Sequence, residues 1–198
     1  MHTLRARRCW MFDMDGTLTV PVHDFDAMRR ELGLPSGVGT LEGLAALPLE
    51  ERERRRVLLD EIGWRYVAQA RPQPGAIELL GTLHARGARL GVVTRNARRN
   101  TVATLEKIGC ARWFAALDVA TRDDGPAKPA PDPVQRLLAG WGAAPADAVM
   151  VGDSLYDMQS GRAAGATTVL LDPGGASEHR GLADHCVNDL SELLALLS

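Results

Sequence analysis

Long apolar runs are missing from this chain. No stretch approaches the ~20 apolar residues that a membrane helix needs. Cysteine is scarce as well. Cys9, Cys110 and Cys186 are scattered, odd in number and form no Cys-x-x-Cys pair. That argues against a disulfide framework or a zinc site; buried free thiols in a reducing cytosol fit better. An excess of one charge is also missing. The net charge is −2, so no global basic field draws in nucleic acid or an anionic membrane. Arg5, Arg7 and Arg8 precede an apolar run, but Asp13 ends it too soon for the core of a signal peptide. The expectation is a cytoplasmic protein with neither nucleic acid nor membrane as partner. The oligomeric state is not legible.

What is present is an ordinary globular composition: 198 residues, 45% hydrophobic and 24% charged. This length suffices for one domain with a core, or for a domain with a small insert. A short apolar strand, Cys9 to Phe12, opens the chain. From about His23 to Ala70 only helices are predicted. Asp24 caps Phe25 to Leu34, Thr40 caps Leu41 to Leu47, and Pro48 starts a long helix from Leu49 to Ala70. The apolar positions Val57, Leu58, Ile62 and Tyr66 fall at helical spacing. The alternating charges from Glu50 to Arg56 read as a solvated face.

Arg71-Pro72-Gln73-Pro74-Gly75 then breaks the helical pattern. Beyond it strands alternate with helices. Strands are expected at Arg89 to Val93, weakly near Ala116 to Val119, at Ala148 to Val151 and at Thr167 to Leu171. Helices are expected at Ala76 to Arg86, Arg98 to Ile108, Asp132 to Trp141, Leu155 to Ala164 and Leu190 to Leu197. Apolar strands alternating with amphipathic helices imply a parallel sheet covered on both faces. The simplest organisation is an α/β core from residues 1–20 and 74–198, interrupted by a helical insert over residues 21–73.

The most informative stretch is Phe12-Asp13-Met14-Asp15-Gly16-Thr17. Residues two apart point to the same side of a strand. Asp13 and Asp15 therefore leave the first strand together, at the edge where open α/β sheets bind ligands. Two crowded carboxylates repel unless a cation or a shared proton intervenes. Asp-x-Asp-Gly is also a common turn composition. Other strand ends carry further candidates: Thr94-Arg95-Asn96 after one, Gly152-Asp153 and Asp157 after another, with Lys128 before Pro129 between them. Taken singly, Thr94 could be a helix cap, Lys128 a surface lysine, and Asp153 with Asp157 a cap and first-turn pair. Together, and in this order, they suit phosphoryl transfer. Mg²⁺ on Asp13 and Asp153 would screen the repulsion between a carboxylate nucleophile and a phosphate dianion. Asp13 would attack and Asp15 would move the proton. Thr94 and Lys128 would hold the phosphate oxygens, while Asp157 supports Lys128 or the metal.

These motifs resemble the haloacid dehalogenase-like hydrolase superfamily, and the likeness spans the whole core. The resemblance implies a Rossmann-like parallel five-stranded sheet flanked by helices, with a small mobile α-helical cap inserted after the first strand. It implies Asp13 as nucleophile and Asp15 as acid/base, with Thr94 and Lys128 on the phosphate. It implies Mg²⁺ on Asp13, the Asp15 backbone carbonyl and Asp153. An aspartate at position 15 favours phosphoryl transfer over attack on carbon. The cap and the Pro-Gly re-entry are similar to the phosphoglycolate-phosphatase-like branch. The expected activity is thus Mg²⁺-dependent hydrolysis of a small phosphorylated metabolite, with phosphoglycolate as one candidate. Arg95 stands where many members have asparagine and could bear on substrate choice. His23, Asp24 and Arg29 lie near the cap entrance, where they either face the site or cap and solvate a helix. Arg65 has the same two readings, and Trp64 and Tyr66 read as core or interface. A phosphomutase of the same superfamily is the nearer alternative, and a phosphoacceptor signalling domain a more distant one.

Overall fold

The computed structural model describes residues 4–197. Among these, six short strands form one parallel sheet: β1 (Cys9–Phe12), β2 (Arg89–Val93), β3 (Val119–Ala120), β4 (Ala148–Gly152), β5 (Thr167–Leu171) and β6 (His185–Val187). Their order across the sheet is β3-β2-β1-β4-β5-β6. Every pairing is parallel, and β1 lies between β2 and β4. The order reverses at β1, which places a crevice at the carboxyl ends of β1 and β4.

The alternation of side chains along β1 explains its central place. Trp10 and Phe12 enter one apolar cluster with Leu79, Leu80, Val149 and Leu190. Cys9 and Met11 enter a second cluster on the opposite face, with Val134, Leu137 and Met150. Helices α4 (Ala76–Ala85) and α8 (Leu190–Ala195) cover the first face; α6 (Asp132–Trp141) and α7 (Leu155–Ala163) cover the second. A strand buried on both faces needs apolar residues throughout, which is what Cys-Trp-Met-Phe supplies.

Three helices lie between β1 and α4: α1 (Phe25–Glu31), α2 (Thr40–Ala45) and α3 (Leu49–Val67). They form their own apolar cluster around Met28, Leu32, Leu34, Leu44, Leu59 and Ile62. The segments leading in and out run side by side. The Val20 amide donates to the Arg71 carbonyl (3.1 Å), and the Gln73 amide to the Leu18 carbonyl (2.9 Å). The remaining helix, α5 (Arg98–Lys107), packs against α3.

The sequence predicts five strands, and the sheet has a sixth. β6 is three residues long, lies at the sheet edge and is only partly covered, so no apolar run marks it. The weak third strand shrinks to two residues, because Ala116–Asp118 forms a 3₁₀ turn. In α3 the buried stripe is Leu59 and Ile62, while Val57 is exposed. Its charge run is only partly solvated, since Arg55 also donates to the carbonyls of Leu32 and Gly33. Gly39, not Thr40, occupies the cap position of α2. The three cysteines are free; Cys9 and Cys110 are buried and Cys186 is half-buried.

Candidate active site

Asp13 leaves β1 with its backbone still held by β4: its amide donates to the Val151 carbonyl at 2.9 Å. The chain then turns tightly, with the amides of Leu18 and Thr19 both donating to the Met14 carbonyl at 2.9 Å. Gly16 sits in the left-handed region at φ +83°, and a Cβ there would collide with the Asp153 carboxylate. Glycine is therefore required twice, for the turn and for the approach of Asp153.

Lys128 is the hub of the site. Its Nζ donates to Asp13 Oδ1 and to Asp157 Oδ1, each at 2.5 Å. Asp157 is fully buried in the first turn of α7, and its Oδ2 accepts from the Ser154 amide (3.0 Å) and the Ser154 hydroxyl (2.5 Å). This reciprocal capping box fixes the start of α7 and aims Asp157 at Lys128. Thr94 follows β2; it is buried, and its Oγ1 accepts from the Asn96 amide at 3.2 Å. Thr94 does not cap α5, whose cap position is Ala97; its hydroxyl supports the turn ahead of that helix, and the residue lines the cavity.

The acids strain against one another. Burial pushes the Asp13 carboxyl well above the usual range; Lys128 opposes this, and Asp157, Asp153 and Asp15 add to it. Asp153 is pushed up to about 7, by burial first and then by Asp157. Burial also raises Asp15, against the pull of His23 and of the Asn96 amide. For Lys128 burial disfavours the charge, but Asp13 and Asp157 more than compensate and hold it above its ordinary value.

Such a cluster is consistent with a divalent metal. One oxygen each from Asp13, Asp153 and Asp157 lie within 4.8 Å of one another. An all-carboxylate donor set suits a hard cation. Asp157 already accepts from Lys128 and Ser154, which leaves Asp13 Oδ2 and Asp153 as the better-placed ligands.

A cavity of about 360 Å³ opens over these groups, and Asp13, Asp15, Thr94, Arg95, Lys128 and Asp153 all line it. Asp157 stands behind Lys128, away from the cavity. Arg95 is spoken for: it donates to both Glu42 oxygens (2.8 and 2.7 Å) and to the Lys128 carbonyl (2.5 Å), and its guanidinium lies 3.9 Å from the Tyr156 ring centroid. Of the cap-entrance residues, His23 and Arg29 reach the cavity, whereas Asp24 caps α1 by accepting from the Ala27 amide at 2.8 Å. Arg65 pairs with Glu31 at 2.6 Å. Tyr66 packs on His23, and Trp64 lies under Arg99.

Asn96, placed by the sequence at the same strand end as Thr94 but given no role there, contacts Asp15. Its Nδ2 donates to Asp15 Oδ2 at 2.5 Å, while His23 Nδ1 stands 3.7 Å from Asp15 Oδ1. Asp15 is thus gripped from both sides. The one available signal was the position of Asn96, two residues beyond Thr94 at the same strand end. Arg122, also on the cavity wall, carries no signal in its local sequence.

Known proteins resemble this chain in sequence and in fold. The profile of the haloacid dehalogenase-like hydrolases matches residues 8–165. An uncharacterised hydrolase of Saccharomyces cerevisiae is 34% identical over 205 aligned residues, covering 100% of this chain and 94% of its own. A phosphoglycolate phosphatase of Nitrosococcus oceani is 30% identical, covering 95% of each chain. The crystal structure of a hydrolase from Pseudomonas syringae matches with a TM-score of 0.80 at 25% identity, over 96% of this chain and 97% of that one. A profile spanning most of the chain, relatives aligned along nearly all of it and a common fold establish that this protein belongs to the haloacid dehalogenase-like hydrolase family.

Proposed function

We propose that this chain is a Mg²⁺-dependent phosphatase that hydrolyses a small phosphorylated metabolite through an aspartyl-phosphate on Asp13. The observation that carries the proposal is the convergence of Asp13, Asp15, Thr94 and Lys128 on one cavity, with Asp153 beside them. Asp13, the Asp15 backbone carbonyl and Asp153 would hold Mg²⁺, whose charge offsets the repulsion between carboxylate and phosphate dianion.

An Asp13 carboxylate oxygen bonds to phosphorus as the bond from phosphorus to the substrate oxygen breaks. Asp15, protonated, gives its proton to the departing alkoxide. Its burial favours that protonated form. Lys128, steadied by Asp157, neutralises charge gathering on the equatorial oxygens, and the Thr94 hydroxyl donates to one of them. Water then attacks the phosphoryl group. Asp15, now ionised, takes the water's proton, and phosphate leaves as the Asp13 carboxylate is restored. Asn96 and His23 hold Asp15 in place for both transfers. Residues 21–73 act as a cap that reads the organic part of the substrate. Phosphoglycolate, the substrate in the name of the Nitrosococcus relative, is one compound of the class to try.

The test is phosphate release from a panel of phosphorylated metabolites, with and without Mg²⁺. The expected result is continuous turnover that stops on chelation. Turnover that survives exhaustive chelation, or no turnover on any phosphomonoester, overturns the proposal.

A further inference from the structure

The cavity reaches from Thr94 and Lys128 to the helices that follow β1. There its wall is apolar, formed by Phe25 and Met28 of α1, Leu41 of α2 and Leu59 of α3. Three arginines also line it, and each already meets a carboxylate of this chain. Arg29 donates to Asp26 at 2.5 Å. Arg95 donates to both Glu42 oxygens, at 2.8 and 2.7 Å. Arg122 donates to Asp60, and its side chain is only 6% exposed. Thr40 and Asn100 add polar groups that carry no charge.

The arginine charges on this wall are thus cancelled from within the chain. A leaving group with its own carboxylate would have to shed water to enter, and would then compete with Asp26, Glu42 or Asp60 for a guanidinium. It would also share the cavity with Asp13, Asp15 and Asp153, which repel it. An uncharged leaving group meets neither obstacle. It gains apolar contact, worth about 3- to 4-fold in affinity for each methylene buried. The cavity, at about 360 Å³, is at the small end of the range for small-molecule pockets, which suits a short skeleton.

We infer that the substrate's leaving group is an uncharged alcohol with a short apolar skeleton, held against Phe25, Met28, Leu41 and Leu59. The inference rests on the phosphatase reading above and narrows it. Glu42 serves the selection by neutralising Arg95, which follows Thr94 directly, so that no free guanidinium there receives a second anion. A phosphorylated carboxylate such as phosphoglycolate is then a poor substrate.

The experiment measures kcat/KM for phosphate release by the full chain, in Mg²⁺, on two matched pairs. Ethyl phosphate is compared with phosphoglycolate, and butyl phosphate with phosphorylated γ-hydroxybutyrate. Within each pair a methyl group and a carboxylate exchange places. The uncharged member should be favoured at least about 10-fold in both pairs. Butyl phosphate should exceed ethyl phosphate by about 10-fold, from two further methylenes against the wall. Replacing Phe25→Ala and Leu41→Ala together should shrink the butyl-to-ethyl ratio. Glu42→Gln should shrink the preference for the uncharged members, because the Lys128 carbonyl and the Tyr156 ring still hold Arg95 on the wall after its counter-ion is gone. Melting curves confirm that each variant is folded. A carboxylate turned over as well as its uncharged partner overturns the inference, and so do equal values for butyl and ethyl phosphate. Ratios that neither replacement moves also overturn it. Each of these results leaves the phosphatase reading intact, since phosphate is still released. Turnover of none of the four compounds overturns both.

Discussion

Replacing Asp157 with asparagine removes a charge and almost no volume, and the structure specifies what that should cost. Asp157 is fully buried and accepts from three donors: the Lys128 ammonium on one oxygen, and the Ser154 amide and hydroxyl on the other. Asparagine offers one oxygen and one NH₂ group. Whichever way it is turned, its NH₂ faces a donor. Either Lys128 loses its anion or the first turn of α7 loses its cap. Removing one partner of a buried ion pair costs about 3–5 kcal/mol, and losing a helix cap about 0.5–2 kcal/mol. Asp13 remains to hold Lys128, so the lower part of the first range applies, about 3 kcal/mol. For a chain of this size that lowers the melting temperature by roughly 6–12 °C. Circular dichroism melts of the two proteins at pH 7, without metal, measure it. The same variant should turn over substrate roughly 10- to 100-fold more slowly, because Lys128 is no longer held against the phosphate. A melting temperature within about 2 °C of the parent would refute the reasoning, since the buried charge would then carry no weight.

Asp13→Asn should lower kcat by at least about 10³-fold in a phosphate-release assay, because the attacking carboxylate goes. Asp15→Asn should slow both chemical steps and let phosphorylated protein accumulate in a quenched-flow assay; unchanged rates would remove its acid/base role. Metal should couple to pH through Asp153, pushed up to about 7 in the fold. In the unfolded chain an aspartate titrates near ~3.9. A carboxyl raised on folding contributes stability that is complete below the unfolded value and lost as pH rises through the folded one. The metal-free protein should therefore weaken between about pH 4 and about pH 7. Mg²⁺, which favours the ionised acid, should raise the melting temperature more at pH 8 than at pH 5; equal shifts at both would count against Asp153 as a ligand.

The alternation of strand and helix was legible because the central strands are buried on both faces and read as plain apolar runs, as in Cys9–Phe12 and Ala148–Gly152. The candidate site was legible for a related reason. Polar residues that follow such a run at once sit on the binding edge of the sheet, which brought Asp13, Thr94 and Asp153 into view from the sequence. What escaped lacks that local mark. β6 is short and half-covered at the sheet edge. Asn96 acquires its meaning from Asp15, 81 residues away, and Arg122 from Asp60 of the helical insertion, 62 residues away. The exposed Val57 of α3 shows the same limit, since helical spacing alone does not say which apolar stripe meets the core.

Asp13 is the group proposed to take the phosphoryl. Acid quenching of Asp15→Asn protein during turnover, followed by peptide mapping by mass spectrometry, looks for it directly. A phosphoryl group on the peptide containing Asp13, absent when Asp13 is also replaced, is the predicted result. Turnover with that peptide unmodified at every quench time, or with the phosphoryl group on another residue, would contradict it.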